Sequence, residues 1–206
     1  MGKHHRESKM LEDSWELFCE ICTKRRGINL ETLQEVIILA VEIAREGREG
    51  RRIGTIFVVS DSVEVLKRSQ NLILDPLFGH PEEKKRLTDP DVRETIKELA
   101  QLDGAFVISD DGIVLSASRF LDAKSDGIKI PLGFGARHIA AAAITKATKA
   151  VGVVVSESSV VRVFDDGELI SEIIPELWLF SKFRRHLIER YSERTSENLT
   201  VISKAE

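Results

Sequence analysis

Residues 103–117 read DGAFVISDDGIVLSA and contain two apolar runs, Ala105 to Ser109 and Ile113 to Ala117, on either side of Asp110-Asp111-Gly112. A short polar turn with glycine between two such runs is typical of a β-hairpin. The two turn aspartates are therefore interpreted as turn residues rather than ligands. The stretch predicts two neighbouring strands, and the helical pattern from Asp89-Pro90 to Leu102 delivers the chain to the first of them.

The segments around this hairpin alternate between strand and helix patterns. Besides the hairpin, strands are predicted at Ile53 to Val59 in the centre of the sheet, Asn71 to Leu74, Val151 to Ser156, Val160 to Phe164 and Leu169 to Ile174. Besides the helix that ends at Leu102, helices are predicted from Asn29 to Gly47, from Ser62 to Arg68 and from Ala136 to Lys149, the last after a long loop from Ser118 to Phe134. The predicted fold class is α/β: a mixed central β-sheet flanked by helices, with short N- and C-terminal helical extensions.

The length of 206 residues favours one principal domain with extensions. We predict an N-terminal helical extension at 1–28, the main domain at 29–175, and a C-terminal amphipathic helix and tail at 176–206. Cys19 and Cys22 have Cys-x-x-Cys spacing, but two further zinc ligands are missing nearby. They lie on the apolar surface of a predicted helix, Glu12 to Lys24, so we assign them no chemistry.

Composition and charge exclude several classes of protein. The net charge of −4 argues against a nucleic-acid partner and leaves room for a small anionic ligand. The apolar runs are far shorter than the roughly 20 residues that a membrane span needs. The N-terminus lacks the apolar core of a signal peptide, so we predict a cytoplasmic protein.

Three short segments carry the residues suited to chemistry. Asp103-Gly104-Ala105 offers a carboxylate beside a tight turn. Gly135-Ala136-Arg137-His138 opens a helix, where free N–H groups and a guanidinium favour a phosphate. Ser156-Glu157 follows a buried strand, although Glu157 is as consistent with a plain surface position. His138 could donate to a phosphate or be a core histidine, and both interpretations stay open.

Neither a Walker loop nor a dinucleotide fingerprint is present. Taken in order, however, the segments resemble the catalytic domain of the diadenylate cyclases over roughly Leu30 to Ile174. The matching segments are Arg52 to Val59, Asp103 to Ala105, Gly135 to His138 and Val153 to Glu157. The resemblance implies an enzyme that condenses two ATP molecules into cyclic di-AMP and releases two pyrophosphates.

The resemblance also implies roles for individual residues. Asp103 would bind a divalent metal, manganese or magnesium, and help to activate the ribose 3′-hydroxyl, and Arg137 and His138 would grip the phosphates. Glu157 is a second expected metal ligand, and the apolar surface of Phe120 and Leu121 is the expected adenine pocket. The full set of expected nucleotide-binding residues is Gly104, Ala105, Phe120, Leu121, Gly135, Ala136, Arg137, His138 and Ser156.

The chain departs from the family pattern at two positions. Ile139 stands where the Arg-His-Arg motif has its second arginine, and Arg119, Lys124 and Lys129 are candidates to replace it. Leu102 stands where some members carry histidine, so no metal ligand is transferred to that position.

Cyclic di-AMP has two equivalent halves, so each ATP must supply both an attacking hydroxyl and an attacked α-phosphate. We therefore expect two chains to meet face to face about a twofold axis. A non-catalytic adenine-nucleotide sensor is the main alternative. In that case the isoleucine at position 139, in place of arginine, would reflect a loss of catalysis while nucleotide binding is kept. An oligomerising scaffold is a third possibility, and it predicts no rise in melting temperature with ATP.

Overall fold

The computed structural model describes residues 27–72, 74–128, 131, 133–175, 191–196 and 199–204, with side chains up to residue 175. The predicted helix at Glu12 to Lys24, with its two cysteines, and the predicted amphipathic helix after Pro175 lie outside the described residues. The domain division at residues 28 and 175 stays a prediction. No helix among the described residues is both long and apolar enough to cross a membrane.

Nine strands of the described chain form one sheet, in the spatial order β2-β4-β3-β1-β5-β6-β7-β9-β8. The strands are β1 (Thr55–Val59), β2 (Ser69–Asn71), β3 (Ala105–Ile108), β4 (Val114–Leu121), β5 (Val151–Val155), β6 (Val161–Asp165), β7 (Glu168–Ile173), β8 (Tyr191–Ser196) and β9 (Leu199–Lys204). Strands β1 and β3 run parallel, and the other neighbouring pairs of described strands run antiparallel. The predicted mixed sheet is confirmed.

Helices cover both faces of the sheet. They are α1 (Leu30–Glu46), α2 (Ser62–Lys67), α3 (Pro90–Leu99) and α4 (Ala136–Ala147), with one 3₁₀ turn at Glu82–Lys84. The Asn29 side chain caps the N-terminus of α1 by accepting from two backbone N–H groups. The Asp89 side chain caps α3 by accepting from the backbone N–H of Asp91. The core on one face joins α1 and α3 to Phe57 and Phe106, and the other core joins α2 and α4 to Val58 and Val154.

Several predicted boundaries were wrong. Strand β4 continues to Leu121, although residues from Ser118 onward were predicted as loop, because a left-handed residue at Ser118 (φ 51°) forms a bulge that restores pairing of Arg119 with Ala105. The predicted strand at Asn71 to Leu74 begins earlier, at Ser69, where it pairs with the end of β4. Helix α3 ends at Leu99 rather than Leu102. Strands β8 and β9 extend the sheet beyond β7 and were not predicted.

Gly104 is required by the close approach of β3 to this bulge. Its φ is +105°, and a Cβ there would lie 2.6 Å from the carbonyl carbon of Ser118 and 2.8 Å from the backbone nitrogen of Arg119. Residues other than glycine rarely adopt such φ values, and the backbone atoms in contact could move aside only at a high cost in free energy.

We expect Gly104→Ala to lower the free energy of unfolding by about 2 kcal/mol or more, since backbone strain and a clash add together. Urea unfolding measures this change. Gly127→Ala is the matched control, because Gly127 has φ +77° and open space around the added Cβ. Equal losses in the two variants would show that the clash with the bulge contributes nothing.

Candidate functional site

Three chain segments meet at one edge of the sheet. Gly54 lies just before β1, Asp103 lies just before β3, and Glu157 follows β5. Because β3 is parallel to β1 while β5 is antiparallel to it, these ends lie side by side. The site therefore lies at the amino ends of the parallel pair, where α4 also begins with Gly135 as its N-cap residue.

Arg137, on the first turn of α4, joins the two carboxylates. Its Nη1 donates to Oε1 of Glu157 at 3.0 Å and its Nη2 to Oδ1 of Asp103 at 3.3 Å. The Asp103 side chain is 80% exposed and that of Glu157 is 68% exposed. Ion pairs this exposed add little stability. The cluster leaves both carboxylates accessible to a ligand, with one oxygen of each engaged by the guanidinium.

Gly54 provides the space in which the guanidinium lies. A Cβ at this position would come within 2.7 Å of Nη1 and 3.0 Å of Cζ of Arg137, and within 3.3 Å of Cγ of Glu157. Sequence analysis did not single out Gly54, because the contact joins residues more than 80 positions apart. A glycine at the start of a β-branched strand was the one signal available.

A cavity of about 470 Å³ opens beside this cluster. Of the predicted site residues, Ala105 is fully buried in β3 and does not line it. The others line it together: Asp103, Gly104, Phe120, Leu121, Gly135, Ala136, Arg137, His138, Ser156 and Glu157. Its apolar lining also includes Ile56, Leu72, Ala140, Val154 and Val155, which were predicted as parts of strands or of a helix but not as site residues. A small apolar cavity with convergent polar groups is typical of a ligand site.

His138 is buried, at 8% exposure, and also lines the cavity, so it combines features of both interpretations left open above. Its ring packs against that of Phe134 at a centroid distance of 4.6 Å and an interplanar angle of 33°. Its Nε2 lies 3.2 Å from Nη1 of Arg162, and Arg162 is also paired with Glu172. A guanidinium can only donate, so Nε2 accepts and the neutral ring carries its proton on Nδ1. That Nδ1 is buried without a hydrogen-bond partner.

Burial lowers the pKa of His138 below its ordinary value, and the positive charge of Arg162 lowers it further. The Gly135 carbonyl and Glu172 oppose this lowering, while Arg137 adds to it slightly. The native histidine therefore binds fewer protons than the unfolded one. Its contribution makes the free energy of unfolding fall as the pH drops below about 6.5 and through the lower native pKa.

Replacing Arg162 with methionine should raise the pKa of His138, because a lowering charge is lost while Glu172 remains. Titration of the histidine ring signals by NMR measures this pKa, and the exposed His80 serves as an internal control. An unchanged or lower pKa of His138 in Arg162→Met would contradict the assigned contact.

Ser156 and the three residues proposed to replace the second arginine of the motif either have structural partners, lie away from the cavity or fall outside the described residues. Arg119 donates to the Ser69 carbonyl at 2.7 Å and to the Ser69 hydroxyl, which fastens strand β2. The Ser156 hydroxyl lies 2.7 Å from that of Ser158 and accepts from the Val160 N–H, holding the turn after β5. Lys124 is exposed and is not among the described residues that line the cavity. Lys129 lies outside the described residues.

Ile139 is 39% exposed and is also not among the described residues that line the cavity. The position that carries the second arginine in the family motif thus faces away from this cavity in a single chain. Two arginines line the described part of the cavity: Arg119, whose guanidinium is bonded to the Ser69 backbone, and Arg137, whose guanidinium is held by acidic side chains.

The carboxylates fit a divalent cation. The described residues contain no cluster of three or more His, Cys, Asp or Glu side chains that could hold a metal unaided. Asp103 and Glu157, however, each have an oxygen not engaged by Arg137. Magnesium is usually bound by one or two carboxylates together with substrate phosphates, so this donor set suits magnesium or manganese.

Comparisons with known proteins identify the family of this chain. Residues 42–169 match the DAC family model, described as DisA bacterial checkpoint controller nucleotide-binding. A protein of Methanocaldococcus jannaschii named diadenylate cyclase is 49% identical over 162 residues, covering 78% of this chain and 50% of that protein. A Haloferax volcanii protein of the same name is 42% identical over 149 residues, covering 71% of this chain and 54% of that one. The chain thus spans about half the length of these curated relatives.

A solved structure from Bacillus cereus, described as a hypothetical membrane spanning protein, resembles the fold with a TM-score of 0.50 and 19% identity. The match covers 68% of this chain and 62% of that one, and it supports the fold alone. The family model includes Asp103, Arg137 and Glu157 in its matched range and extends over more than half of the sequence. The chain therefore belongs to the DAC family.

Proposed function

We propose that this chain is a diadenylate cyclase that condenses two ATP molecules into cyclic di-AMP and two pyrophosphates. The observation that carries the proposal is the Asp103–Arg137–Glu157 cluster at the mouth of a partly apolar cavity. Two accessible carboxylates and one fixed cation are the groups needed to activate a hydroxyl next to a phosphate. The names of the curated relatives support the same reaction.

Each residue of the cluster has a distinct role in the proposed reaction. Arg137 and the N–H groups at the start of α4 stabilise the charge that develops on the α-phosphate oxygens. The 3′-hydroxyl gives up its proton to water, while the oxygens of Asp103 and Glu157 that do not contact Arg137 remain available to hold a metal. A divalent metal bound by Asp103 and Glu157 would lower the pKa of that hydroxyl. The new bond joins the 3′-oxygen to the α-phosphorus, and the bond from that phosphorus to the pyrophosphate oxygen breaks.

The rest of the cavity orients the nucleotide. Phe120 is 47% exposed on the edge of the cavity, where its ring offers a stacking surface for adenine beside Leu121. His138 lines the cavity next to Arg137, where its ring is expected to contact a phosphate oxygen. ATP as the substrate is consistent with a reaction in the cytoplasm.

The reaction needs a second chain, since one cavity with one such cluster holds one ATP. Two chains related by a twofold axis bring each 3′-hydroxyl to the other α-phosphate. The specific activity should therefore rise with protein concentration in parallel with the dimer fraction measured by light scattering. A constant specific activity down to concentrations at which the protein is monomeric would contradict the shared site.

The proposed function is tested by incubating the protein with ATP and either magnesium or manganese. Mass spectrometry should detect cyclic di-AMP, with two pyrophosphates released for each product molecule. A sensor without catalysis would show an ATP-dependent rise in melting temperature and no product. The sensor is the second candidate because Ile139 stands where the family motif has its second arginine.

A further inference from the structure

A second cavity, of about 300 Å³, lies between α3 and the segment 76–85. Its apolar floor is formed by Leu77, Val92, Ile96 and Leu99. Leu77 and Ile96 belong to the core on the α1 and α3 side of the sheet, whereas the first cavity is lined by Ile56 and Val154 of the other core. The two cavities therefore lie on opposite faces of the sheet.

The polar residues of this second cavity are predominantly basic. His80, Lys84 and Lys85 line it together with Thr95, and no Asp or Glu is among its described lining residues. Glu82 and Glu83 belong to the same segment but are exposed and are not among the residues that line it. The cavity thus combines an apolar floor with positive charge.

Lys85 is the most informative of these residues, because it is 8% exposed overall and its side chain makes no hydrogen bond or ion pair with any described residue, although its Nζ is not one of the fully buried atoms that lack a partner. Lysine is rarely so buried without a partner. Lys97 provides the comparison within the same fold. It is 5% exposed, and its Nζ lies within 3.3 Å of carboxylate oxygens of Glu42, Glu46 and Glu94. Lys85 has a comparable burial and lacks such partners.

The segment that carries Lys85 is fastened to β4 at both ends. The Lys85 carbonyl accepts from the Val114 N–H at 2.9 Å, and the Leu87 N–H donates to the Gly112 carbonyl at 2.8 Å. At the other end, the Asp75 carboxylate accepts from the Ser116 hydroxyl at 2.6 Å. These bonds fix the segment that carries Lys85 against β4 and the turn before it.

We infer that this cavity binds a small organic anion, with a phosphate or carboxylate group on Lys85 and Lys84 and an apolar body over Leu77 and Ile96. The anion would supply a counter-charge to Lys85, which has no ion pair with any described residue. The inference does not depend on the reaction proposed above, because the two cavities share no lining residue.

Amide NMR spectra recorded with phenyl phosphate, benzoate and inorganic phosphate test the inference. We expect saturable shifts of the Lys85, Val92 and Thr95 amides with phenyl phosphate or benzoate, and the stronger binder of the two identifies the preferred anionic group. Inorganic phosphate should bind at least tenfold more weakly, since it lacks the apolar body. Shifts that do not saturate, or that occur only around Arg137, would overturn the inference.

Lys85→Met keeps the length of the side chain and removes its charge, so the affinity at these amides should fall at least tenfold. The same substitution should leave the melting temperature of the free protein nearly unchanged, because methionine keeps the apolar stem of the side chain in the cavity wall. Lys124→Met, at an exposed lysine outside the cavity, should leave the affinity unchanged. Equal affinity of Lys85→Met and the parent protein would overturn the inference.

Discussion

Replacing Asp103 with asparagine should lower the rate of cyclic di-AMP formation about 10³-fold, because the amide cannot bind the cation that activates the 3′-hydroxyl as a carboxylate does. Loss of metal-assisted charge stabilisation of about 4 kcal/mol corresponds to that factor. The Asp103 side chain is 80% exposed, so the fold should be unaffected. Initial rates measured by mass spectrometry and a melting curve of the same sample separate the two effects.

Asp110→Asn is the matched control for this substitution. Asp110 is an exposed aspartate in the turn that follows β3, at the opposite end of the strand from Asp103. The rate of cyclic di-AMP formation by Asp110→Asn should equal that of the parent protein. If Asp103→Asn kept more than about a tenth of the parent rate, the carboxylate would not have the role assigned here.

Removing the guanidinium of Arg137 should lower the rate by about 10² to 10³-fold, which is the usual effect of deleting one donor to a developing oxyanion. Arg137→Ala also leaves Asp103 and Glu157 without a cation between them, so ATP binding should weaken as well. Steady-state kinetics should show a lower kcat and a higher KM. A change confined to KM would indicate that Arg137 binds ATP without stabilising the transition state.

Gly54→Ala tests the placement of the same guanidinium without removing it. The added Cβ would lie 2.7 Å from Nη1 of Arg137, and the flexible arginine is the group that must move. We expect a loss of activity of at least about tenfold with little change in stability. Gly152→Ala is the contrast, because its Cβ would press on Ala141 and Thr145 in the core and lower stability instead.

The double variant with Gly54→Ala and Arg137→Ala provides the sharpest form of this test. If Gly54 acts only by leaving space for the guanidinium, the alanine at position 54 should have no further effect once Arg137 is gone. Full additivity of the two losses would show that Gly54 influences activity by another route.

The local parts of the fold were predictable from the sequence because local chemistry decides them. The hairpin at Asp110-Asp111-Gly112 forms as expected, with the Ser109 hydroxyl donating to the Asp111 carboxylate at 2.7 Å. Asn29 and Asp89 cap their helices as their positions suggested. Strand β1 and the strands from β5 to β7 follow their β-branched runs.

Features that depend on distant contacts were not predictable from one sequence. The bulge at Ser118 lets β4 continue into polar residues that look like a loop in the sequence. Gly104, which packs against this bulge, has no sequence signal beyond that of a common turn. The contact between Arg162 on β6 and His138 on α4 joins residues that are distant in the sequence, so no local pattern predicts it. Ala105 was expected to contact the nucleotide, but it is the first residue of β3 and faces the core. The neighbouring Gly104 lines the cavity in its place.

The formal charges around the first cavity have a thermodynamic consequence. Among its described lining residues, Asp103 and Glu157 balance Arg119 and Arg137, so the wall supplies no net positive charge for a polyphosphate. A nucleotide entering this cavity must bring most of its own counter-charge, and a divalent cation does so. Nucleotide and cation should then strengthen each other's binding by the same factor, because binding linkage is reciprocal. The wall thereby favours the cation-bound nucleotide over the free one.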